Sequence, residues 1–461
     1  MSEKKPTPVS VFPDNWVAMS IDEKYDFFKG VMLSTEDKAF VNAEVAEKYK
    51  RRMTRLYDAV ELKEPDRVPT LLLSEGYIAR RAGYSQADYF YNTENIRQAA
   101  IKFHEDFPEM EYASTVLPYP GEAFDLLGIK MLRWPGGDRP DALPDNTSWQ
   151  YVEGEYMPAS DYDELIQNPE GYVFRKWFPS VFENLKALAA FPSLFAPMEP
   201  ATVAAFLAPL AGGPIRDALN LLLEAADKAL PALIPAALAY NQIITQFGSP
   251  RFYGGLTFAP FDIIGDTMRG TKGVMLDMYR NPDKLMAACE AVVPATIKFA
   301  VDGAYANKRP FVLIPLHKGA DGFMSEEQFT QFYWPSFKKS MEGMIEAGLI
   351  PVPFVEGSYN NRLDILSDWD VPKGKVVFGF DQTDMKTAKE KLGDKFAIFG
   401  NVSGSLFATG TPEEMDAYTK DLLESCAPGG GFMLGSGSPI EFTTPEVLRT
   451  YLGATKKYGV S

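Results

Sequence analysis

The sequence predicts a (β/α)8 barrel of the TIM type, with an N-terminal helical extension and a long helical insertion between its second and third strands. Three observations predict it. Eight short, nearly continuous apolar runs recur between residues 68 and 434, the pattern of strands covered on both faces in a parallel sheet. Nearly every run is followed by a segment with a readable helix start, and strand, loop, helix repeated around a ring is the arithmetic of the barrel. The residues after the first run, Ser74-Glu75-Gly76-Tyr77, are not the Gly-rich phosphate loop of the competing doubly wound sheet.

In chain order, the first ~60 residues read as the helical extension (1–60), and the barrel occupies 61–461. Ser20 with Glu23 is a capping-box pattern opening a short helix, and a longer amphipathic helix is expected from about Thr35 to Asp58. Pro65-Asp66-Arg67 ends the helical region. The eight runs are Val68–Leu73, Tyr112–Leu117, Phe252–Phe258, Phe311–Leu316, Ile350–Val355, Val376–Phe380, Ala397–Gly400 and Phe432–Leu434. Asn281-Pro282, Ser325 with Gln328, Thr411-Pro412 with Glu414, Asp384 and Thr444-Pro445 each mark a helix start. The stretch 118–250 is the insertion, which holds a turn-rich patch, Trp134 to Pro140, and then helices rich in Ala, Leu and Pro.

Composition removes several function classes. With 62 acidic and 46 basic residues the chain carries a formal charge of −16, the wrong sign for gripping a nucleic-acid backbone. Its 32 Phe and 22 Tyr are far too apolar for a disordered chain. Two cysteines, Cys289 and Cys426, build neither a disulfide framework nor a Cys-rich zinc site, and read as packing residues. No secretory signal precedes Pro13-Asp14, so a cytoplasmic location is the expectation. Residues 229–250 are uncharged, but Pro231 and Pro235 interrupt them and Asn241 and Gln242 follow, so helices of a globular protein are expected rather than a membrane span.

Barrel active sites gather where strands end. The ends here supply Glu75 and Tyr77, Tyr119 and Glu122, Asp262, then His317, Lys318 and Asp321, then Glu356 and Tyr359, Asp381, Asn401, and finally Ser438 and Glu441. Carboxylates around one imidazole repel one another unless a proton, a metal ion or a basic ligand sits among them. The ring therefore suits a divalent metal with N and O ligands, or a carboxyl held neutral as a general acid. The candidate catalytic residues are His317, Glu356, Asp381, Asp321 and Asn401. Glu75, Tyr77, Tyr119, Tyr359 and Ser438 are the candidate walls and contacts for a small-molecule substrate. Six of them have a structural alternative: a satisfied strand-end histidine for His317, a solvated turn residue for Glu356, a helix cap for Asp381, a loop residue before the capping box for Asp321, a turn amide for Asn401 and a Gly/Ser turn for Ser438. His104, in Phe103-His104-Glu105-Asp106, reads as a solvated helix residue.

Asp66-Arg67-Val68-Pro69, Phe380-Asp381-Gln382-Thr383-Asp384, Gly400-Asn401-Val402, Gly410-Thr411-Pro412-Glu413-Glu414, Gly431-Phe432-Met433-Leu434 and Thr444-Pro445-Glu446 occur in this order. Together they resemble the uroporphyrinogen decarboxylase superfamily over about 60–460, most clearly over 310–460. The resemblance implies a barrel enzyme of one of two kinds. True decarboxylases grip a polycarboxylate tetrapyrrole with an N-terminal Arg-rich segment; the matching stretch here, Leu71 to Arg81, lacks that pattern, with only Arg80 and Arg81 at its end. The other branch is similar to corrinoid-dependent zinc methyltransferases, whose His-x-Cys pair and later Cys correspond to Phe354, Glu356 and Ser438 here. If a divalent metal such as zinc is held, His317 and Glu356 are its expected ligands. The expected reaction is methyl transfer to or from a corrinoid on a partner protein. Decarboxylation of a tetrapyrrole or other carboxylated substrate, and a non-catalytic corrinoid- or tetrapyrrole-binding protein, are the alternatives. A homo-oligomer is compatible with all three, and the insertion could serve as lid, dimer surface or partner dock.

Overall fold

Seven parallel strands laid side by side form the spine of the computed structural model, which describes residues 12–114 and 117–460. In chain order the strands are β1 (Thr70–Leu71), β2 (Leu132–Arg133), β3 (Gln150–Tyr151), β4 (Gly255–Leu256), β5 (Phe311–Leu316), β6 (Ile350–Val355), β7 (Val377–Phe380), β8 (Ala397–Val402) and β9 (Phe432–Ser436). β2 and β3 form a separate antiparallel pair; the rest lie in the order β1-β9-β8-β7-β6-β5-β4. From β4 to β9 each strand lies beside its successor, with helices between, a TIM-like arrangement of mixed α/β structure.

The apolar runs explain this sheet. β6 to β9 are buried at every residue. Strands covered on both faces need no polar alternation, which is why these runs read as continuous. β5 and β6 pair at all six positions, whereas β6 meets β7 only at Phe354↔Gly379 and Val355↔Phe380. Pro351 and Pro353 account for the difference: neither has an N–H to give the ladder, and pairing on the β7 side begins beyond them. Gly379 sits where Phe354 and Phe399 press on its Cα, so no side chain fits there.

Inside the sheet, Leu71, Phe252, Phe311, Ile350, Val352, Phe354, Val377, Ala397, Phe399 and Met433 form one buried cluster. The N-terminal helix Ala43–Val60 closes it with Tyr49, Met53, Leu56 and Tyr57. The shorter helix Ile21–Leu33 starts at the Ser20–Glu23 capping box read from the sequence. The longer helix starts later than Thr35, because Asn42 accepts a hydrogen bond from Val45 N at 2.9 Å and caps it there.

Two expectations need correction. The run Tyr112–Leu117 forms no strand among its described residues; Thr115 and Val116 lie outside them. Its backbone is tied to side chains and a loop instead of a ladder: Ser114 N donates to His104 Nε2 (3.2 Å) and Ala113 N to Pro250 O (2.9 Å). Next to it, Glu111 receives Thr70 N (3.0 Å) and pairs with Arg55 (2.7 Å) and Arg67. Once those groups are satisfied, a strand has little further to gain there. The second correction is His104. It is 1% exposed, and burial pushes its pKa down to about 3, helped by Arg52 and Lys48.

The stretch 118–250 contains the β2–β3 pair, several short helices and one 35-residue helix, Gly213–Phe247, with Pro231 and Pro235 inside it. Among the described residues no helix is long and apolar enough to cross a membrane. Cys289 and Cys426 are free and buried.

Candidate active site

The polar centre of the molecule lies where β5 ends. His317 and Lys318 follow that strand directly. Their backbone N–H groups donate to the two oxygens of Asp262, at 3.1 and 3.0 Å. Tyr333 also donates to Asp262, at 2.8 Å. Asp262 is 1% exposed, and burial raises its pKa, with the Asp266 charge adding to the effect. Its role is to fix the turn that aims the His317 side chain.

Asp266 is held on a turn of π-helix, Ile263–Met268, directly after Asp262. Such turns change which face a side chain occupies, and they recur at functional sites. Here the turn brings Asp266 Oδ2 to 2.6 Å from His317 Nδ1. Lys318 Nζ bonds the other oxygen at 2.9 Å and Thr271 Oγ1 at 2.8 Å. Burial alone would push the His317 pKa down. The hydrogen bond to Asp266, with the charges of Asp262, Asp266 and Glu356, outweighs it and lifts the pKa to about 9. At neutral pH His317 is therefore an imidazolium, with Nδ1–H directed to Asp266 and Nε2–H free for another partner.

That partner's place is beside Glu356. His317 Nε2 and Glu356 Oε1 are 3.8 Å apart, so the two residues share one rim. Glu356 follows β6 and is 53% exposed. Burial of its carboxyl raises its pKa, as do Asp381 and Asp266, while His317 lowers it. Asp381, at the end of β7, accepts from Gly357 N (3.3 Å) and Gln382 (3.1 Å), and burial raises its pKa despite those bonds.

Asp321, Asn401 and Tyr359 are held by contacts to the surrounding scaffold. Asp321 receives Ser358 Oγ (2.9 Å) and Asn361 N (3.2 Å) and lies 3.6 Å from Arg362, pinning the loop after β6. Asn401 uses both ends of its amide, donating to Thr383 O (2.9 Å) and accepting from Tyr418 (2.9 Å). Tyr359 is fully buried against Phe329. Ser438 is partly exposed beside Gly404.

On the β1 side, Glu75 and Tyr119 line one small cavity with Tyr89, Phe90, Trp149, Ser148 and Glu441. Burial lifts the Glu75 pKa to about 7, with Glu441 and then Glu356 adding to it. The Glu75 and Glu356 charges therefore act in one field. Tyr77 turns away, packing on Phe103 and lining a different groove with Arg80 and Arg81.

Sequence reasoning passed over Asp266 although Asp262 was visible at the third strand end. The i,i+4 spacing of the two acids was the available signal, and only the π-turn makes it face His317.

A resident zinc ion does not fit this donor set. Among the described residues no three His, Cys, Asp or Glu side chains are grouped to hold one. His317 commits Nδ1 to Asp266, which leaves one nitrogen and the Glu356 carboxylate, whereas zinc sites use three or four protein ligands.

Residues 214–458 match the profile of the family described as Uroporphyrinogen decarboxylase (URO-D). Among solved structures, a methyltransferase from Methanosarcina mazei superposes with a TM-score of 0.56 at 18% identity, over 88% of this chain and 98% of that one. At that identity the likeness is one of fold. No curated protein matches the sequence.

Proposed function

The chain belongs to the uroporphyrinogen decarboxylase family, and from that premise we propose that it is a barrel enzyme transferring a methyl group between a small-molecule donor or acceptor and a corrinoid carried by a partner protein. One observation carries the reading: His317 lies 2.6 Å from Asp266, a contact that raises its pKa, and 3.8 Å from Glu356 at an open strand-end rim. A methyl group leaves an oxygen or nitrogen readily only if that atom's developing charge is quenched.

The corrinoid, when docked, accepts or supplies the methyl group. This chain's residues do the proton work. In demethylation, His317 Nε2–H gives its proton to the heteroatom as the methyl group leaves, the bond pair staying on the heteroatom. Asp266 stabilises the imidazolium and orients the ring without itself exchanging the proton. Glu356 positions the heteroatom beside Nε2. Asp262 holds the backbone of His317 and Lys318 still. In the reverse direction, neutral His317 removes a proton from the acceptor.

The rim also bears on the alternatives. The acids Glu75, Glu441, Glu356, Asp381 and Asp266 outnumber the cations His317, Lys318 and Arg80 there, and an excess of negative charge disfavours a polycarboxylate tetrapyrrole. Of these cations, Arg80 stands 3.5 Å from Glu441. The test supplies the full chain with cob(I)alamin as free corrinoid and a panel of O-methyl and N-methyl donors, following methylcobalamin by absorption. Methylcobalamin formation with one donor, lost in His317→Asn, supports the proposal. Carbon dioxide release from uroporphyrinogen, or corrinoid binding with no turnover of any donor, replaces it with decarboxylation or a binding role.

A further inference from the structure

The small cavity on the β1 side differs in chemistry from the rim beside it. Its walls are aromatic. Phe90 and Tyr119 stack at 4.8 Å, Trp149 stands 6.1 Å from Tyr119, and Tyr89 donates its hydroxyl to the Glu75 carbonyl. Leu117 and Trp149, 44% and 39% exposed, are the most open of its lining residues. Two carboxyls, Glu75 and Glu441, line it as well. Gln86, the remaining amide, is occupied by Gly76 O at 3.1 Å.

The two acids are not equivalent. Glu441 accepts from Ser148 Oγ at 2.9 Å and lies 3.5 Å from Arg80. The Glu75 carboxyl has no hydrogen bond or ion pair among the described residues. It shares the cavity with Glu441, Tyr89 and Tyr119, and the charges of Glu441 and then Glu356 act against its ionisation. Arg80, among the described residues, pairs with Glu441 and not with Glu75. Desolvating an acid among acids is costly unless a ligand supplies the missing positive charge. Aromatic faces also favour a cation over a neutral group of the same shape.

We propose that this cavity is a subsite for an organic ammonium group: the rings of Tyr119 and Trp149 receive it, Glu75 is its counter-ion, and it anchors a substrate whose reacting end reaches His317 and Glu356. The proposal deepens the methyl-transfer reading and rests on it for the reacting end alone. A neutral substrate accepting a hydrogen bond from protonated Glu75 is the competing occupant. The two differ in sign with pH. A cation needs Glu75 ionised, so its affinity rises as pH passes upward through about 7; the neutral acceptor needs the proton, so its affinity falls there.

The experiment is calorimetric titration of the full chain with choline and with its uncharged isostere 3,3-dimethylbutan-1-ol, at pH 6 and pH 8. We expect choline to bind at least about tenfold tighter than the isostere at pH 8, and more weakly at pH 6. Glu75→Gln should remove most of that preference and its pH dependence, and Trp149→Ala should weaken choline alone, with thermal melts confirming that both variants fold. No choline binding, equal binding of the two probes, or affinity that falls with rising pH overturns the proposal. Choline binding that persists without methyl transfer contradicts only the reacting-centre reading. Methyl transfer without choline binding contradicts only the subsite.

Discussion

His317 Nδ1 lies 2.6 Å from Asp266 Oδ2, and this contact raises the His317 pKa. A charge-assisted hydrogen bond of that length favours the imidazolium. Asp266→Asn keeps the shape and removes the charge. The variant should lower the His317 pKa by at least about one unit, seen by titrating its ring proton resonance. An unchanged value would mean that Asp262 or Glu356, not Asp266, holds the proton in place.

The same contact gives a pH signature in stability. The folded pKa of His317 is raised, so its contribution is fully present below about 6.5 and is lost as pH rises through about 9. Thermal melts of the wild type against His317→Asn should converge as pH rises from 6.5 to 9.5. A gap that widens with pH would reverse the sign argued here.

His104 has the opposite signature. It is 1% exposed and neutral, with its pKa depressed to about 3. The unfolded chain takes up a proton below about 6.5 while the folded chain does not. Stability should therefore fall as pH drops from 6.5 towards 3, by at most about 1.4 kcal/mol per pH unit from this group. Denaturant melts at pH 6.5 and pH 4.5 measure it. Replacing His104 by Gln should flatten this part of the profile, and a profile that stays as steep would assign the loss to other groups.

Asn401 and Glu356 should separate stability from chemistry. Asn401→Ala strips the partners from Thr383 O and the Tyr418 hydroxyl, and should cost about 2 kcal/mol in a denaturant melt. Glu356→Gln, at a half-exposed position, should change stability by less than about 0.5 kcal/mol while lowering the His317 pKa and slowing turnover. Equal destabilisation by the two would erase the distinction between scaffold and rim.

The strands most legible in the sequence were those buried on both faces. Phe311–Leu316 and Ile350–Val355 have the boundaries that their apolar runs imply. Legibility fell at Val68–Leu73 and Phe252–Phe258, where only two residues of each run are paired as strand. It failed at the described residues of Tyr112–Leu117, because Glu111 and His104 take up backbone donors that periodicity would assign to a ladder. Burial of His104 was hidden for a related reason: its partners lie at Ser114 and Phe247, ten and more residues away.

In the candidate site, residue type and position at a strand end brought out His317 and Glu356. The same rule brought out Asp321 and Asn401, whose hydrogen bonds run into the scaffold. Strand-end position says that a side chain reaches the rim, not what it bonds when it arrives. Asp266 escaped because a π-turn, rather than a strand end, delivers it.

The protonation state of His317 decides the account, and with only two histidines in the chain it can be measured without ambiguity. Titration of the two imidazole Hε1 resonances in the full chain, assigned with His317→Asn, gives it directly. One resonance should titrate near pH 9 and the other should stay neutral down to about pH 4. A His317 that titrates at or below pH 6.5 would carry no proton to donate under neutral conditions, and the rim would lose its acid.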